Sequence, residues 1–484
     1  MNLSITRLIA ILFFFFVIQL GFAQKPETIN IGTKHSLYSD VLKQDRPYSV
    51  YLPNSYSENG NPVSVVYLLD GNFHFHHTSG ILNFLEQQGR IPPTMLVAIP
   101  NTDNRTRDLT PPIIKNPESA KNYKDPGEAN NMLSFLEKEL IPEINKKYNT
   151  NEYKVLIGHS FGGIFSVYTL TQRPNLFDAH ISISPSMWWD DQSLVAQVDA
   201  FLEKTDTLDV FYYMTMGNED GAMLGGAMKV AALMEEKSPE KFEWDFVRLE
   251  KETHGSIPHR STYNGLETIF ASWFATDLSK LFLAGSWKKI DSHFATLSQK
   301  LGAEIRPSES DINELGYQLL GLNNVEKALE VFKENIDRYP ESYNVYDSYA
   351  EGLLKAGNKE ESIKFYKKSL DVFPYNQNAV NVLKDMGASY EEGENSVQLN
   401  KKQLQKYVGT YKFNEGLVAK VALEDGKIYL SGSEIPKEEL ILIRKDAFVY
   451  KSTNAFIRFI QAKEGESEIE VQMNGGRKMT GKKY

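Results

Sequence analysis

The sequence predicts an α/β fold with a doubly wound parallel sheet, followed by a helical repeat segment and a small antiparallel β domain. Three patterns predict this order. Short β-rich runs alternate with helical stretches as far as residue 284, a 34-residue period follows in residues 285–395, and short alternating strands fill residues 396–484. A chain of 484 residues is also long enough for about three domains.

The first region, residues 24–284, contains seven runs that are typical of strands. Several are continuous apolar runs, which indicate a sheet covered by helices on both faces. Helical patterns such as 131–148 and 226–236 lie between them, and this alternation predicts parallel strands. The predicted strands cover residues 48–53, 63–71, 94–100, 154–160, 179–186, 210–217 and 242–249.

The second region, residues 285–395, has helical patterns that repeat. Small, aromatic and proline residues recur every 34 positions, which is the period of tetratricopeptide helix pairs. Because one pair cannot bury its own apolar face, neighbouring pairs stack and offer a concave surface to a protein partner. An unrelated helical bundle is the alternative. The positions in register are Leu319 with Leu353, Ala328 with Ser362, Phe332 with Tyr366, and Pro340 with Pro374.

The third region, residues 396–484, returns to short alternating strands joined by Gly, Asp and Asn turns. Glu424-Asp425-Gly426 between two strands is a hairpin signal. We expect an antiparallel β-barrel or sandwich. No titratable cluster stands out in this region, so it offers no candidate site.

The first 23 residues have the pattern of a secretory signal peptide. Arg7 precedes an apolar run that ends at Leu20, and the small residues Gly21 and Ala23 stand before Gln24. The run is short for a membrane-spanning helix, which is the alternative. We therefore expect cleavage near Ala23 and an exported protein, either periplasmic or secreted.

Composition excludes several classes of function. The net charge of −10 argues against a phosphate-binding surface, so nucleic acid is not an expected partner. The chain has no cysteine, which excludes disulfides, thiolate chemistry, thiolate metal sites and a lipoprotein anchor.

The segment Gly158-His159-Ser160-Phe161-Gly162 fits the pattern G-x-S-x-G. An apolar strand runs into it and a helix rich in small residues leaves it, which is the context of a nucleophilic serine on a sharp strand-to-helix turn. The helix N-terminus favours developing negative charge. A serine in an ordinary small-residue turn is the alternative. A base, an acid and an oxyanion hole decide between the two.

A serine hydroxyl needs a base and an orienting acid, which follow it in the chain order Ser, acid, His. His254 follows the last predicted strand, where the base belongs, and His259 in the same loop is the alternative. Glu219 and Asp220 both follow the preceding strand. We favour Glu219 as the acid and Asp220 as a turn or capping residue, although a Ser–His dyad without a well-placed acid stays open.

An oxyanion hole needs two N–H groups at the developing negative charge. We expect one from Phe161 and the other from Asn72, in a loop after the third strand. His74, His76 and His77 in that loop raise a zinc alternative, but no partner with ligand spacing appears elsewhere. We therefore expect no metal, and we interpret His74 as a residue of the substrate pocket.

Three further residues are candidates for substrate binding. Trp188 and Trp189 follow a strand end and could stack on an aromatic ring or a sugar, or could equally pack in the core. Arg105 follows the strand at 94–100 and could meet an anionic substrate group. The alternative is a structural role, in which Arg105 and Arg107 stabilise a long loop by pairing with Asp103 and Asp108.

Taken together, these residues resemble the esterase D-like family of α/β-hydrolases, which includes siderophore, feruloyl and acetylxylan esterases. The resemblance covers about residues 27–280 and is carried by YLLDG, NRTRDLTP, GHSFGG, SPSMWW, MGNED and HGSIPHRSTYNGL. It implies an α/β-hydrolase fold, no cofactor, and a catalytic set that maps onto Ser160, Glu219 and His254. Relatives have a single acid at this place, so the doublet leaves Asp220 open as the acid.

The expected function is a serine carboxylic-ester hydrolase that acts through an acyl-enzyme on Ser160. Siderophore, feruloyl or acetyl-carbohydrate esters are the expected substrates, as small molecules or linked to a glycan. An acyltransferase of the same fold is one alternative. A non-catalytic binding or scaffold protein that works through the helical repeats is the other.

Overall fold

The structure is a computed structural model that describes most of the chain. The predicted signal peptide, residues 1–23, and the predicted boundary between residues 395 and 396 both lie outside the described residues. The description covers residues 30–484 apart from 57–60, 103, 275–276, 303, 374–375, 389–398, 414–416, 433–434, 445, 451, 454, 462–466 and 473–477.

An eight-stranded mixed sheet forms the centre of the first region, in the order β1-β2-β4-β3-β5-β6-β7-β8. Six strands run parallel, from β3 to β8, and β1 and β2 are antiparallel at one edge. The strands are β1 (Thr33–Ser39), β2 (Gln44–Tyr51), β3 (Val63–Leu69), β4 (Thr94–Ile99), β5 (Thr150–His159), β6 (Ala179–Ile183), β7 (Phe211–Met216) and β8 (Glu243–Arg248).

The prediction of a wholly parallel sheet is therefore wrong at the β1 edge. A four-residue turn joins β1 to β2, and a connection this short permits only an antiparallel pair because parallel neighbours need a long crossover. The strand β1 was not among the predicted strands.

Helices cover both faces of this sheet. In β3, Val65 and Tyr67 belong to one apolar cluster, whereas Val66 and Leu68 belong to a second cluster on the other face. Every residue of β3 is buried, which explains the continuous apolar run. The helices are α1 (Gly71–Gln87), α2 (Arg105–Leu109), α3 (Pro117–Ala120), α4 (Ala129–Phe135), α5 (Ile141–Lys147), α6 (Phe161–Gln172), α7 (Ser193–Leu202), α8 (Gly221–Lys237), α9 (Ile257–Ile269) and α10 (Ala271–Phe274).

The carboxyl ends of the parallel strands meet at one edge of the sheet. The loops and helix starts that follow β3 to β8 therefore lie next to one another, which is where open α/β sheets bind their ligands. A π turn, Leu136–Leu140, joins α4 to α5, and a 3-10 turn, Trp189–Gln192, precedes α7.

Helix α11 (Leu278–Leu301) connects the sheet region to the helical segment. The helix is kinked at Gly285 and Ser286, next to the predicted boundary between residues 284 and 285. Beyond the kink, Leu301 is only 3% exposed and belongs to the same buried cluster as Tyr153. The apolar core of the first region therefore extends past this predicted boundary.

Within the described residues, the helical segment continues with five helices, and the first four repeat in length and spacing. Helix α12 (Glu309–Gly321) and helix α14 (Tyr343–Lys355) start and end 34 residues apart, and the same offset relates α13 (Val325–Arg338) to α15 (Lys359–Val372). Helix α16 (Gln377–Asp385) follows. The predicted register positions are buried, at 0 to 4% exposure, for Leu319, Leu353, Ala328, Ser362, Phe332 and Tyr366; Pro374 lies outside the described residues.

The last region is a closed antiparallel barrel of eight strands, so of the two predicted architectures the barrel is the one found. Tyr411, Phe448 and Phe459 pack inside it. The short helix α17 (Lys401–Leu404) and a 3-10 turn (Gln405–Tyr407) precede it. Its strands are β9 (Gly409–Phe413), β10 (Val418–Glu424), β11 (Lys427–Gly432), β12 (Glu438–Arg444), β13 (Ala447–Tyr450), β14 (Ala455–Gln461), β15 (Ser467–Gln472) and β16 (Lys478–Lys483).

The hairpin predicted at Glu424-Asp425-Gly426 is confirmed, since Glu424 pairs with Lys427 across the turn. Asp425 and Gly426 both have positive φ, of 47° and 81°, as a two-residue hairpin turn requires. Within the described part of the chain, no helix is both long enough and apolar enough to span a membrane.

Candidate active site

Ser160 lies on a sharp turn between β5 and α6. Its φ of 61° and ψ of −113° are strained for a residue with a side chain. The turn is so tight that a Cβ on Gly158 would stand 2.0 Å from the carbonyl oxygen of Gly162. The Ser160 hydroxyl lies 3.2 Å from the hydroxyl of Ser186, which follows β6. This is the geometry of a serine lifted above the carboxyl edge of the sheet.

The candidate base and acid meet across two neighbouring loops. His254, after β8, has its Nδ1 2.9 Å from Oε1 of Glu219, after β7. A backbone hydrogen bond from Asn218 N to Glu252 O, 2.7 Å long, ties the two loops together. Gly217 makes this approach possible, because a Cβ there would lie 2.9 Å from Glu219 Oε2. The carboxylate can only accept, so the His254 Nδ1 carries the proton of this bond.

The other two candidates for these roles lie elsewhere. Asp220 is the N-cap residue of α8, and its side chain makes no capping hydrogen bond. His259 is in the first turn of α9 rather than in the loop, and its ring centre lies 5.5 Å from that of His77. Of the two carboxylates, Glu219 is the one that contacts His254.

Ser160 and His254 lie on the same edge without a hydrogen bond between their side chains among the described contacts. The ring of His159 contacts that of His254 in a tilted arrangement, with the ring centres 4.6 Å apart. Catalytic hydrogen bonds are often long in a ligand-free site and shorten only around the substrate. A proton could pass from Ser160 to His254 only after such a hydrogen bond forms.

The two residues expected to form the oxyanion hole are both at helix N-termini. Phe161 is the first residue of α6 and Asn72 is the second residue of α1, and such N–H groups have no acceptor within their helix. The expected loop after β3 is wrong, because α1 begins at Gly71 immediately after Asp70. The Asn72 side chain accepts a hydrogen bond from Asn101 N at 3.1 Å.

Arg105 pairs with Asp70, which sequence reasoning did not single out. Arg105 Nε and Nη2 lie 2.6 Å and 2.8 Å from the two oxygens of Asp70, a carboxylate that is 2% exposed. Arg105 Nη2 also donates to the His159 carbonyl oxygen at 3.1 Å, and the guanidinium lies over the Phe161 ring at 5.3 Å. One arginine therefore links the ends of β3 and β5.

In the alternative drawn from the sequence, Arg105 and Arg107 pair with Asp103 and Asp108. The partner of Arg105 in the structure is instead Asp70. Asp108 pairs with Arg107 at 2.8 Å and with the buried Arg46 at 2.6 Å, and Asp103 lies outside the described residues. Arg105 pairs with Asp70 because Asp70 follows β3 and Arg105 follows β4, and these two strands are neighbours in the sheet. The sequence separates Asp70 from Arg105, whereas the parallel pairing of their strands brings them together.

The two tryptophans have different surroundings. Trp189 is 2% exposed, and its Nε1 donates to the Pro111 carbonyl oxygen at 3.2 Å. Trp189 lies in the apolar core, as the second of the two interpretations predicted, and the prediction that it contacts the substrate is wrong. Trp188 is half-buried, with its ring centre 5.8 Å from that of Phe161.

A cavity of about 590 Å³ opens beside Ser160. Three of the predicted site residues line it, namely Ser160, His74 and Arg105. Phe73, at its wall, is 71% exposed, which is unusual for so large an apolar side chain. The full lining is Asp70, Phe73, His74, His77, Arg105, His159, Ser160, Gly255, Ser256, Pro258 and His259.

Three histidines of this wall, His74, His77 and His159, favour the uncharged form. Burial lowers the pKa of His159 to about 3 and that of His77 to about 4, and it also lowers the pKa of His74. Nδ1 of His74 lies 3.0 Å from Nε2 of His77, so the two rings share a hydrogen bond. His76 is exposed. Across the described residues, no group of three or more His, Cys, Asp or Glu is arranged to hold a metal ion.

Sequence reasoning missed four residues of this site. Asp70 stands in YLLDG and His159 in GHSFGG, two segments that were already singled out, so their position beside key motifs was the available signal. Phe73 neighbours the candidate His74. Ser186 follows β6, and only the order of the strands shows that this loop adjoins Ser160.

Known proteins share both the sequence and the fold of this region. Residues 39–262 match the family model described as "Putative esterase". The chain is 30% identical over 182 residues to the siderophore enterobactin esterase of Emericella nidulans, which covers 33% of this chain and 60% of that protein. It is 30% identical over 194 residues to the ferri-bacillibactin esterase BesA of Bacillus subtilis, which covers 36% of this chain and 65% of that protein.

The chain thus spans less than two thirds of the length of these two relatives. Among solved structures, an IroE-like serine hydrolase from Shewanella oneidensis is 28% identical with a TM-score of 0.54; the match covers 64% of this chain and 99% of that one. An uncharacterised protein from Capnocytophaga ochracea, 17% identical with a TM-score of 0.56, shares the fold over 74% of this chain and 100% of its own. Residues 39–262 of this chain therefore resemble the family described as "Putative esterase", and the similarity to two named esterases supports an ester hydrolase.

Proposed function

We propose that this chain is a serine carboxylic-ester hydrolase that works through an acyl-enzyme on Ser160. The observation that carries the proposal is the 2.9 Å contact between His254 Nδ1 and Glu219 Oε1, at the sheet edge where Ser160 sits on its strained turn. Three residues that are far apart in sequence supply a nucleophile, a base and an orienting acid. The family match over residues 39–262 supports the same chemistry.

Proton transfer through His254 drives both halves of the reaction. With its Nδ1 proton held by Glu219, the neutral ring has an unprotonated Nε2 that accepts the Ser160 proton as Oγ attacks the ester carbonyl carbon. The imidazolium then gives this proton to the leaving alkoxide, and the acyl-enzyme remains. A water molecule loses a proton to the same nitrogen, attacks the acyl carbon and releases the acid, and Ser160 recovers its proton.

The negative charge on the carbonyl oxygen needs donors that are already in place. We assign this role to the N–H groups of Phe161 and Asn72, at the N-termini of α6 and α1. Asp70 lies close to the start of α6, since a Cβ on Gly162 would lie only 3.1 Å from Asp70 Oδ2. An unpaired carboxylate there would repel the negative charge of the oxyanion. The pairing of Asp70 with Arg105 offsets that charge.

We further propose that the substrate is an ester of the siderophore class. The relative from Emericella is named as a siderophore enterobactin esterase and the relative from Bacillus as a ferri-bacillibactin esterase. The neutral imidazoles of His74 and His77, which donate and accept hydrogen bonds, and the exposed ring of Phe73 suit a flat ligand that carries hydroxyl groups. Feruloyl and acetyl-carbohydrate esters have similar groups and belong in the same substrate panel.

The test is burst kinetics on short nitrophenyl esters, followed by a panel of catecholate, feruloyl, acetyl-sugar and butyryl esters. We expect a burst of nitrophenol in the wild type and in Ser55→Ala, a control on the surface, and none in Ser160→Ala. Equal inactivity of the wild type and Ser160→Ala on every ester would contradict the proposal and favour a scaffold role. Transfer of the acyl group to an added alcohol instead of water would identify an acyltransferase.

The remaining regions carry proposals of their own. We propose that residues 1–23 are a signal peptide and that the mature protein is periplasmic or secreted. N-terminal sequencing of the exported protein should then begin at Gln24, and retention of Met1 would contradict this.

We also propose that α12 to α16 form a tetratricopeptide-like array that binds a protein partner. The equal 34-residue offsets of two helix pairs support it. Capture experiments with the full chain and with a variant lacking residues 309–385 test it. Loss of a specific partner with retained esterase activity is expected.

A further inference from the structure

The ring of His159, a residue of the nucleophile turn, contacts the ring of the candidate base His254. His159 directly precedes Ser160 in the chain, and its ring centre is 4.6 Å from that of His254 with 42° between the ring planes. We propose that His159 is a positioning residue that holds the His254 imidazole in line with Ser160. This inference rests on the proposed esterase function and adds a residue to it.

His254 needs such a contact because little else fixes its ring. It sits in a turn after β8, and its side chain is 41% exposed. One hydrogen bond, to Glu219, fixes the position of Nδ1 but leaves the ring free to swing about that bond. The contact with the His159 ring restricts this motion, and in this proposal it keeps Nε2 directed at the serine.

His159 is itself held firmly, which a positioning residue requires. Its carbonyl oxygen accepts a hydrogen bond from Arg105 Nη2 at 3.1 Å. Its ring also makes a T-shaped contact with His74, with the ring centres 5.6 Å apart, and His74 is hydrogen-bonded to His77. The ring of His254 is thus part of a series of contacting histidine rings, His159, His74 and His77.

The chemistry of the His159 ring fits contact rather than proton transfer. Its Nε2 is buried and has no hydrogen-bond partner among the described residues. Burial and the neighbouring His254 lower the pKa of His159 to about 3, so the ring stays neutral at neutral pH. A neutral ring does not repel the imidazolium that forms on His254 during the reaction, whereas a charged one would.

The test compares His159→Ala, His159→Phe and the control His35→Ala in the full chain. His35 is also in ring contact with a neighbour, Tyr48, but it lies in the edge strand β1 and is not among the residues that line the cavity. We expect His159→Ala to lower kcat by about 10- to 100-fold with KM changed by less than about twofold, because a small misplacement of a catalytic group has effects of this size. We expect His159→Phe to recover most of the rate and His35→Ala to match the wild type.

A second readout does not depend on activity. The proton between His254 Nδ1 and Glu219 gives a downfield proton NMR signal, identified by its loss in Glu219→Gln. We expect this signal to broaden or disappear in His159→Ala and to return in His159→Phe, while the melting temperature shows that both variants are folded.

The outcomes separate the two proposals. Unchanged kcat and an unchanged downfield signal in a folded His159→Ala would overturn the role of His159 while the esterase stands. A rise in KM alone would also overturn it, since His159 would then contact the substrate instead. If the wild type lacks any hydrolysis that depends on Ser160, the esterase proposal fails, and loss of the signal in His159→Ala would still support the positioning of His254.

Discussion

Glu219 Oε1 lies 2.9 Å from His254 Nδ1, although the two residues belong to separate loops after β7 and β8. The neighbouring carboxylate, Asp220, begins α8 and makes no capping hydrogen bond with its side chain. Glu219 is nearly buried, with 10% of its side chain exposed. A charge held in this way orients the imidazole and stabilises the imidazolium, so one residue of the doublet is placed for the role of the acid.

The doublet gives the first prediction. We expect Glu219→Gln to lower kcat by about 10²- to 10⁴-fold on a nitrophenyl ester, because the amide favours the wrong tautomer of His254. Asp220→Asn is the matched control and should stay within about threefold, since its loss is at most that of a helix cap. Equal damage by both changes would show that the acid is shared or is Asp220.

The second prediction concerns the buried pair of Arg46 and Asp108, 2.6 Å apart with 2% and 5% of their side chains exposed. Asp108→Asn leaves the buried guanidinium without its partner charge, and we expect the free energy of unfolding to fall by about 3–5 kcal/mol. Urea denaturation measures it. The exposed pair of Lys43 and Asp40, 3.6 Å apart, is the control, and Asp40→Asn should cause no measurable change.

The third prediction concerns acid stability. His180 is completely buried in β6, with its Nδ1 3.1 Å from the Ser166 hydroxyl, and burial lowers its pKa from 6.5 to about 3. The unfolded chain therefore binds a proton at a pH where the folded chain does not. The contribution of His180 to stability is complete above pH 6.5 and is lost as the pH falls from 6.5 towards 3.

Between about pH 7.5 and pH 5 this loss amounts to about 2 kcal/mol for His180. His77 and His159 shift in the same direction and add to it. Urea unfolding at both pH values should show a smaller loss in His180→Gln than in the wild type. An identical pH dependence of the two proteins would show that His180 is already charged in the folded state.

The fourth prediction tests how far the core of the hydrolase region extends. Leu301, at the end of α11, is 3% exposed and packs in the cluster that contains Tyr153 and Phe270. We expect Leu301→Ala to lower the free energy of unfolding by about 2–5 kcal/mol and to advance the thermal loss of esterase activity. Leu322→Ala, at a position that is 66% exposed, should leave both unchanged. If Leu301→Ala leaves thermal inactivation unchanged, the core of the hydrolase region ends at the kink at residue 285.

Much of the fold could be predicted because it depends on local pattern. The strands β2 to β8 were predicted within a few residues, since buried strands carry continuous apolar runs between helical stretches. The strand β1 was missed because TKHSLYS is polar and lies at an exposed edge. The helix α1 was missed at its start, because Asp70-Gly71-Asn72 is typical of a turn, whereas Asp70 adopts a left-handed conformation and the helix begins directly behind it.

The sequence by itself determined which residues are candidates for the chemistry and in what order they occur, because the motif at Ser160 and the chain order Ser, acid, His are local or sequential features. Only the tertiary structure decided which of two adjacent carboxylates contacts His254, that Arg105 pairs with Asp70, that Trp189 is in the core, and that the ring of His159 contacts the ring of His254. These contacts join the ends of strands that neighbour one another in the sheet. Their distances depend on strand order and on the direction of each side chain, and neither quantity is encoded in the local pattern of any one segment.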